Sequence, residues 1–595
     1  MQNDYRQVLR YGLGMLAVAA GFLLLFFLSW SYQELQPVFA AFNSDKPWLA
    51  EGLVEIKHTF GISETVYTMT KAGVAVLFAG CIFLLYRLRS TSHASFFSAF
   101  LPSETVAFFG QKLRKQWQQL PAFEKKLLLV TILTLTAVRL YLLHLYEYEI
   151  DEASAYFLFL YRGWPGVITY YAIPNNHIFY SLLCLPLLSV FQDPYWAYKL
   201  PTLLISTLGF PVLYLAVRSV FKFGITFFAV TGLSFSYHLL YYAVHGRGYS
   251  LLLLCTAFAF IAILKLYEGR QNDYWLAFLV CTVTGFYTVP VFLYPFAGIS
   301  VFAFLAFIYS KNYRALRQFM IVAFFAGITT LLLYLPVILV SSPELLFSNV
   351  YVVRQPYAVM FSKLSFFFPF TQGSVLGQES KSAYLWLLAI LSLFLLLIFR
   401  RKATGFWQYT GLQPVYLIWI LCGALVPWML IFVQGVLPPE RTWTYKAFSD
   451  FLAVAVLLQI LFYFSLRKRK KLTAVMVVLF MAFYGTYETV KHWRNHQVPH
   501  TSSAPFYEIL TAIRQQPDPV IYTSDGYYSF FIRYDFLAHA KRPPVMDEFQ
   551  TEPGKNYNVL ILSRTNPVKT NLDLARFRLI HEDNFVQVYF LKRPK

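Results

Sequence analysis

The stretch that decides the fold lies at residues 147–177, where 147–152 reads EYEIDE, 162–165 reads RGWP and 174–177 reads PNNH. Four carboxylates occupy six positions directly after an apolar run, and an arginine, two asparagines and a histidine follow within one loop. The sequence on either side is almost entirely hydrophobic. A polar, ionisable loop held against so much apolar sequence predicts that the chemistry of the protein lies in this loop.

Composition excludes an ordinary soluble protein. Hydrophobic residues make up 57% of the 595-residue chain, charged residues make up 13%, and the mean hydropathy is +0.51. The formal net charge of +20 could indicate nucleic-acid binding, but the lysines and arginines stand in short clusters between apolar runs. All five cysteines lie in apolar segments without metal-type spacing and are expected to be buried hydrophobic residues. The composition therefore predicts a polytopic α-helical membrane protein.

Apolar runs of roughly 17 to 23 residues predict about 13 membrane spans. They begin near residues 12, 70, 127, 198, 224, 250, 274, 291, 318, 383, 414, 447 and 472. The first run has a basic flank like that of a signal peptide, but its length of about 20 residues spans a bilayer and no small-residue cleavage site follows. It is therefore expected to be the first span.

The basic clusters predict the orientation. When the spans alternate, every cluster falls on one side, which the positive-inside rule makes the cytoplasm. The clusters are Arg6 and Arg10, residues 87–126, Arg218 and Lys222, Lys265 and Arg270, and residues 311–317, 400–402 and 467–471. The N-terminus is then cytoplasmic, whereas the loop 147–177 and the tail after about residue 490 are extracytoplasmic. The loops expected on that side are 32–69, 242–249, 341–382 and 434–446.

Two segments do not read as spans. Residues 178–190 are apolar but short, and a span there would reverse the topology, so a helix in the outer interface is expected. The charged tail predicts a helix at 503–515 and strands at 520–523, 559–562 and 586–591, which together indicate a small α/β domain. The expected organisation is two additional spans and a basic segment in 1–126, a membrane domain in 127–490 with its first outer loop at 147–197, and an extracytoplasmic domain in 491–595.

Asp151 and Glu152 are the candidate catalytic residues. They could be solvated charges at the end of a helix, but they open an amphipathic stretch, and the sequence returns with Asn175, Asn176 and His177 at a distance that allows contact. A carboxylate held near a histidine and asparagines at a membrane surface can act as a general base toward a hydroxyl or amine.

The loop resembles a known family. Asp-Glu-Ala after a membrane helix, then Gly-Trp-Pro and Pro-Asn-Asn-His, is similar to the first outer loop of GT-C glycosyltransferases that use polyprenyl-phosphate sugars, including protein O-mannosyltransferase-like and aminoarabinose-transferase-like enzymes. Residues 198–202 and 241–250 also resemble segments of this family. The resemblance covers residues 127–330 well and the remainder only in architecture.

The resemblance implies roles for individual residues. Asp151 matches the acidic residue proposed to orient and deprotonate the acceptor, and Glu152 is its neighbour. His177, preceded here by Asn176 and not by the family's Pro-Pro, falls near a basic residue that contacts the donor phosphate, and Arg247 matches an arginine at the outer mouth of a helix. The implied reaction inverts the sugar's anomeric carbon, and the implied carrier is undecaprenyl phosphate in a bacterial inner membrane. No cofactor is certain, and a divalent cation stays open.

Elementary chemistry agrees with cations at this site, because a lipid-anchored phosphate is an anionic leaving group. The basic residues expected on the outer side are Arg247, Arg354, Lys363, Arg441 and Lys446. Arg441 is the best of the last four for binding sugar or phosphate, since it stands in a Pro-Pro loop beside a tryptophan. His492, His496 and His500 could share a helical face, but no metal site is expected because carboxylate or cysteine partners are not evident.

The leading prediction is a glycosyltransferase whose acceptor is a lipid, a glycan or a protein, and three other classes of protein are alternatives to it. A secondary transporter predicts ionisable residues near span midpoints and two related halves, whereas the charges stand at the outer ends. A non-catalytic scaffold leaves the carboxylate cluster unexplained. An O-antigen ligase-like or polymerase-like protein would concentrate its function in a large loop late in the chain.

Overall fold

The computed structural model describes residues 2–52, 57–88, 103–146, 148–191, 193–270, 272–347, 353–377, 381–466, 470–497, 504–564 and 572–592. Glu147, His500 and the basic positions 89 and 467–469 of the sequence analysis lie outside these residues. The described part is mainly helical up to residue 514 and combines helices with one β-sheet after it.

Long helices form the membrane body. Eleven helices among the described residues are long and apolar enough to cross a bilayer, and a bent pair, Phe223–Phe235 and Tyr237–Val244, makes a twelfth if it is counted as one span. The pair bends by 59° at Ser236. The eleven are Tyr5–Ser29, Glu64–Arg87, Ala122–Leu145, Pro194–Arg218, Tyr249–Tyr267, Pro290–Tyr309, Tyr313–Ser341, Lys381–Ile398, Pro414–Gln434, Glu440–Phe464 and Ala474–Asn495.

The starts of the predicted spans all fall at or within helices. The predicted span near residue 274 corresponds to Asp273–Thr288, a helix of 16 residues. At about 1.5 Å per residue it is roughly 24 Å long, which is shorter than the ~30 Å hydrocarbon core of a bilayer. The structure therefore supports eleven or twelve spans in the described part of the chain, with this shorter helix packed among them.

Shorter helices complete the α-helical part. Ile178–Leu188 has 11 residues and is too short to cross a bilayer, as the sequence predicted, although its position in the interface stays a prediction. The other short helices before the sheet are Ser103–Gln119, Ile150–Leu158, Leu160–Arg162, Gly163–Thr169, Pro343–Phe347, Thr404–Thr410 and Ala504–Arg514, and the 3₁₀ segments Pro290–Phe292 and Glu440–Lys446 form the first turns of two spans.

Two segments expected to be loops contain substantial helices. Tyr32–Gly52 lies in the predicted loop 32–69, and Tyr357–Leu376 lies in the predicted loop 341–382. Tyr32–Gly52 escaped the search for apolar runs because polar residues interrupt it. Its Phe42 stacks on Tyr170 with ring centroids 4.1 Å apart, and Asp45 forms an ion pair with Arg162, so this helix packs directly on the outer loop.

The C-terminal part contains a five-stranded sheet. The strands β1 (Val520–Thr523), β2 (Val545–Glu548), β3 (Val559–Ser563), β4 (Phe577–Glu582) and β5 (Val586–Leu591) run in the order β2-β1-β3-β5-β4. β1 is parallel to β2 and β3, whereas β5 is antiparallel to β3 and β4. The predicted strands at 520–523, 559–562 and 586–591 and the predicted helix near 503–515 all agree with these elements, so the α/β fold is confirmed.

One helix of this part connects it to the outer loop. Gly526–Asp535, which begins at the N-cap Asp525, packs along Ile150–Leu158, hereafter the loop helix. The Tyr534 ring lies 5.1 Å from that of Tyr156, and the Arg533 guanidinium lies over Phe157 at 5.2 Å. The C-terminal sheet is therefore held against the helix that carries the candidate carboxylates.

Candidate active site

The two candidate carboxylates of the loop helix have different surroundings. The Glu152 side chain is 1% exposed, whereas that of Asp151 is 34% exposed. Glu152 Oε2 accepts a hydrogen bond of 3.0 Å from the backbone N–H of Glu149, which closes a capping box at the start of the helix. Its Oε1 accepts from the N–H of Gly246, and the Lys199 ammonium lies 3.7 Å from Oε2. Both carboxylate oxygens of Glu152 are therefore engaged in contacts within the protein, whereas Asp151 is partly exposed and is the carboxylate available to a substrate.

Two arginines flank Asp151. Arg247 Nη2 and Arg441 Nε each lie 3.9 Å from Asp151 Oδ2. The three residues come from distant parts of the sequence, and all were predicted to lie on the outer side. At such a separation one guanidinium and one carboxylate attract each other by about 4 kcal/mol at an effective dielectric constant of 20. The structure therefore brings Asp151, Arg247 and Arg441 into one charged cluster.

Arg247 is fixed by backbone carbonyls. Its Nη1 donates to the carbonyl oxygens of Asp151, at 3.3 Å, and of Asn175, at 3.2 Å. Its Nη2 lies 3.1 Å from His177 Nε2, while its Nε has no hydrogen-bond partner among the described residues. The side chain is 4% exposed. These contacts hold the guanidinium in one position relative to the Asp151 carboxylate.

His177 differs from the expected phosphate-binding cation. It is buried, and its Nδ1 accepts a hydrogen bond of 2.9 Å from the N–H of Gly248. Burial, followed by repulsion from Arg247 and Arg441, holds the pKa of His177 well below its ordinary value. The imidazole is therefore neutral at physiological pH, and its position favours a role in orienting Arg247.

Asn176 is also committed to the protein itself. Its amide nitrogen donates to the carbonyl oxygens of Val167, at 2.9 Å, and Tyr170, at 3.2 Å, and its amide oxygen accepts from Ser181 at 3.2 Å. The side chain is buried. These contacts use both the nitrogen and the oxygen of the amide, so Asn176 fixes the loop to the following helix. The structure gives no geometric support to the expected contact of Asn176 with a sugar donor.

Asn175 contributes more directly to the site than the sequence indicated. Its amide nitrogen donates to the carbonyl oxygen of Asp151 at 2.9 Å and to Ser154 Oγ at 2.6 Å. These bonds fix the backbone of the loop helix where Asp151 projects from it. The preference of asparagine for bonding to nearby backbone groups was the signal that could have identified this role.

The two glycines beside Arg247 serve close packing. A Cβ on Gly246 would stand 1.9 Å from Tyr198 Cδ1, and a Cβ on Gly248 would stand 2.5 Å from Thr288 Cγ2. The absence of side chains lets the backbone approach Glu152 and His177, which accept hydrogen bonds from Gly246 and Gly248 and hold the segment in place.

Glu149 is a further ionisable group at the site. Burial, followed by repulsion from Glu152, raises the pKa of Glu149 to about 7. Its Oε1 lies 3.9 Å from His245 Nε2. Burial lowers the pKa of His245 well below its ordinary value, so this contact is not an ion pair. The Glu149 side chain is 25% exposed and changes protonation in the physiological range.

A mostly apolar cavity of about 500 Å³ adjoins the charged cluster. His177, Arg354 and Arg441 contribute polar groups to its wall, and aromatic and aliphatic side chains form most of the remainder. Phe347 and Val433, which also line it, are each 72% exposed, so the cavity reaches the outer surface of the helix bundle. An amphiphile could place an apolar chain in the cavity and an anionic group beside Arg441.

The other basic residues predicted on the outer side have different surroundings. Lys446 is fully buried and lies 2.7 Å from both carboxylate oxygens of Asp450, so it belongs to an internal ion pair. Arg354 lines the apolar cavity, whereas Lys363 lies on Tyr357–Leu376 outside it. His492 contacts the Tyr146 hydroxyl at 2.7 Å and the Tyr237 carbonyl at 3.0 Å, which identifies it as a packing residue.

The charged cluster does not fit a divalent cation. Two guanidinium groups stand next to Asp151, and like charges disfavour a metal ion at that carboxylate. Within the described ranges, no three His, Cys, Asp or Glu side chains are grouped so that they could hold a metal ion.

The fold has a counterpart among solved structures. ArnT from Cupriavidus metallidurans bound to undecaprenyl phosphate is similar over 78% of this chain and 97% of its own, with a TM-score of 0.51 and 13% sequence identity. The apo state of the same protein aligns over 74% and 92% of the two chains, with a TM-score of 0.47 and 13% identity. Arabinosyltransferase EmbB from Mycobacterium smegmatis aligns over 87% and 49%, with a TM-score of 0.33 and 12% identity.

The likeness to undecaprenyl-phosphate-bound ArnT shows a shared fold. It confirms the architecture expected from the resemblance to GT-C enzymes, namely a polytopic helical membrane protein with a small C-terminal sheet. No protein-family model matches the sequence, and no curated protein matches it.

Proposed function

We propose that the chain is a glycosyltransferase that moves a sugar from a polyprenyl-phosphate donor to an acceptor hydroxyl or amine. The observation that carries the proposal is the partly exposed Asp151 carboxylate between Arg247 and Arg441, beside an apolar cavity that reaches the surface of the bundle. A base, two phosphate-binding cations and a lipid-sized apolar wall are the groups that this reaction requires.

The donor would occupy the apolar cavity. Its polyprenyl chain would enter past Phe347 and Val433, and its phosphate would meet Arg441 and then Arg247. The fold shared with ArnT, whose structure contains undecaprenyl phosphate, supports a lipid of this class. Undecaprenyl phosphate is therefore the proposed carrier.

Asp151 would act as the general base. The acceptor oxygen or nitrogen attacks the anomeric carbon while its proton passes to an Asp151 carboxylate oxygen. The bond between that carbon and the phosphate oxygen breaks, and its electron pair leaves with the polyprenyl phosphate. A single displacement of this kind inverts the configuration of the sugar.

The two arginines would act most strongly in the transition state. Before reaction they face both the Asp151 carboxylate and the singly charged phosphodiester of the donor. As Asp151 takes up the proton it loses its charge, while the departing phosphate gains charge. The attraction of the guanidinium groups therefore shifts to the leaving group, and such differential stabilisation accelerates the chemical step.

The buried polar residues would keep this arrangement fixed. Glu152 ties the loop helix to Gly246, Asn175 holds the Asp151 backbone, and neutral His177 orients Arg247. None of these three residues needs to touch the substrate. Asn176 would contribute indirectly, because its hydrogen bonds hold the loop that carries Asn175 and His177.

The proposed setting is the outer face of a bacterial cytoplasmic membrane, with residues 1–126 as an N-terminal addition, 127–490 as the catalytic membrane domain and 491–595 as an extracytoplasmic domain. The alternation of basic clusters supports this orientation. The structure brings Lys112, Arg218 and Lys265, which come from three of these clusters, around one cavity, as expected if the three lie on one side. The acceptor would be a lipid, a glycan or a protein.

The experiment is transfer of labelled sugar from a panel of undecaprenyl-phosphate sugars by membranes that contain the wild type or Asp151→Asn. Asp193→Asn is the matched control, because Asp193 is an outer carboxylate that caps the helix Pro194–Arg218 and asparagine caps equally well. We expect transfer by the wild type and the control, and a loss of at least about 10²-fold in Asp151→Asn.

Two results would contradict the proposal. Full activity in Asp151→Asn would show that Asp151 is not the base, and Glu149 would then be the next candidate. Absence of transfer from every donor, with the protein folded and in the membrane, would argue against a lipid-linked donor. Correct folding is checked in each case by a single symmetric peak in size-exclusion chromatography.

A further inference from the structure

A second cavity, lined mainly by polar and basic residues, lies at the opposite end of the helix bundle from Asp151. Its volume is about 360 Å³, and five basic side chains line it: Lys112, Lys115, Arg218, Lys265 and Arg270. The helix Pro194–Arg218 connects the two sites, since its Lys199 contacts Glu152 and its last residue lines this cavity. Nineteen residues at about 1.5 Å each correspond to roughly 28 Å, so about one membrane thickness separates the sites.

The carboxylates near this cavity do not balance its positive charge. Glu124 pairs with Arg218 at 2.7 Å, and Glu268 lies 3.0 Å from Lys265 and 3.7 Å from Arg270. Asp273 acts on Lys112 from a greater distance and accepts a hydrogen bond from the Tyr11 hydroxyl. Among the residues that the structure describes, no carboxylate forms an ion pair with Lys112 or Lys115. An anion would therefore relieve the repulsion among these cations.

Lys112 lies in the wall of the basic cavity, close to two other cations. Burial, followed by the positive charges of Arg270 and Lys265, lowers the pKa of the Lys112 ammonium. The ammonium lies 4.5 Å from the centroid of the Phe108 ring and 5.0 Å from that of Tyr274. Its Nζ also donates a hydrogen bond of 3.4 Å to the Tyr274 hydroxyl, and because Lys112 lines the cavity, an anion there can contact the remaining N–H groups.

An apolar cavity of about 260 Å³ adjoins the basic one. The two share Lys112, Gln116, Ser219 and Tyr274 in their walls. The remainder of the apolar cavity is formed mainly by hydrophobic side chains such as Val212, Phe258 and Ile261, which belong to the membrane-spanning helices. A cationic chamber that continues into an apolar one matches a molecule with an anionic head and a hydrocarbon tail.

We propose that the two adjoining cavities bind an anionic phospholipid of the surrounding bilayer, with its phosphate in the basic chamber and an acyl chain in the apolar one. The helix Ser103–Gln119 supplies Lys112 and Lys115, whereas Arg218, Lys265 and Arg270 belong to the bundle or its connecting turns. The bound phosphate therefore bridges this helix to the membrane domain. The site is distinct from the proposed donor site, because it lies at the other end of Pro194–Arg218.

The test is native mass spectrometry of the purified full-length protein, titrated with phosphatidylglycerol or with phosphatidylcholine of the same acyl chains. The variant is Lys112→Gln/Lys115→Gln. The matched control is Arg114→Gln, an exposed basic residue on the same helix that lines neither cavity. Glycerol 3-phosphate is added separately to distinguish a lipid from a free phosphate ester.

We expect the wild type and Arg114→Gln to bind one phosphatidylglycerol in preference to phosphatidylcholine. Removing two charges should weaken this binding about 25-fold, since one basic residue near a lipid headgroup contributes about fivefold. Ala277→Leu, which fills part of the apolar chamber, should weaken lipid binding as well. Glycerol 3-phosphate at an equal concentration should not displace the lipid, because it has no acyl chain.

Any of three results would overturn the proposal. The first is phosphatidylglycerol binding by Lys112→Gln/Lys115→Gln at the affinity of the wild type. The second is an equal loss of binding in Arg114→Gln, which would show a general effect of surface charge. The third is displacement of the lipid by glycerol 3-phosphate, which would identify a site for small phosphate esters.

Discussion

Glu152→Gln separates positioning from catalysis at the charged cluster. The native carboxylate accepts from the N–H groups of Glu149 and Gly246 and lies 3.7 Å from the Lys199 ammonium. A glutamine keeps one acceptor oxygen, but its amide NH₂ group replaces the other oxygen and therefore faces hydrogen-bond donors that it cannot satisfy. The substitution also leaves the buried Lys199 without its carboxylate. Breaking a buried ion pair from one side costs about 3–5 kcal/mol, and we expect a loss of this size in the free energy of unfolding.

The assay is a double-mutant cycle with Lys199→Met. Unfolding free energies of the wild type, the two single variants and the double variant are measured by denaturant titration in lipid–detergent micelles. The double variant should recover about 2 kcal/mol relative to the sum of the single losses, since it removes the uncompensated charge. Sugar transfer should fall by up to about 10²-fold in Glu152→Gln through displacement of Asp151, and should recover partly in the double variant.

The reasoning would be refuted by either of two patterns. If Glu152→Gln unfolds like the wild type, the contacts of Glu152 with Gly246 and Lys199 do not stabilise the fold. If it keeps full stability and loses transfer completely, Glu152 takes part in the chemistry and Asp151 does not act alone.

Two further predictions concern the neighbours of Asp151. Arg441→Gln should lower kcat about 10²–10³-fold and leave thermal stability unchanged, because the Arg441 side chain is 30% exposed. Arg247→Gln should lower both kcat and thermal stability, because the Arg247 side chain is buried. Steady-state transfer and thermal unfolding measure these effects, and transfer at the wild-type rate by Arg441→Gln would contradict the leaving-group role. The raised pKa of Glu149, about 7 against an ordinary 4.5, means that the folded state binds this proton more tightly than the unfolded state. Stability should therefore fall as the pH rises from about 4.5 to about 7, by roughly 3 kcal/mol, and Glu149→Gln should remove this dependence. Identical pH profiles of the wild type and Glu149→Gln would show that the residue does not titrate in this way.

Hydropathy was sufficient to predict the membrane body, since uninterrupted apolar length is itself the requirement for crossing a bilayer. It missed Tyr32–Gly52 because Glu34, Asn43, Asp45 and Lys46 interrupt the apolar pattern, although the helix packs on the outer loop. The sequence predicted, from the alternation of the spans, that Asp151, Arg247 and Arg441 lie on one side of the membrane. Their contact distances required the structure.

The protonation and pairing of the buried groups could not be predicted from sequence order. His177 was expected near the donor phosphate as a basic residue, but burial and then the charge of Arg247, which lies 70 residues further along the chain, hold its pKa well below the ordinary value. Glu152 was expected to share the chemistry with Asp151, but its buried partners Lys199 and Gly246 lie 47 and 94 residues further along the chain. Neighbouring positions on one helix can therefore have unrelated roles, since the Glu152 side chain is buried whereas that of Asp151 is partly exposed.

The packing of Gly526–Asp535 on the loop helix bears on biosynthesis. The loop helix is made early, and the helix that covers it is synthesised about 380 residues later. At ~5–20 residues per second, translation of the intervening chain takes roughly 20–80 s. During that time Tyr156 and Phe157 lack the aromatic and guanidinium groups that pack on them in the finished protein. The loop helix therefore reaches its final surroundings only after the ribosome has nearly finished the chain, and a product truncated before Gly526–Asp535 lacks this packing even when every membrane span is present.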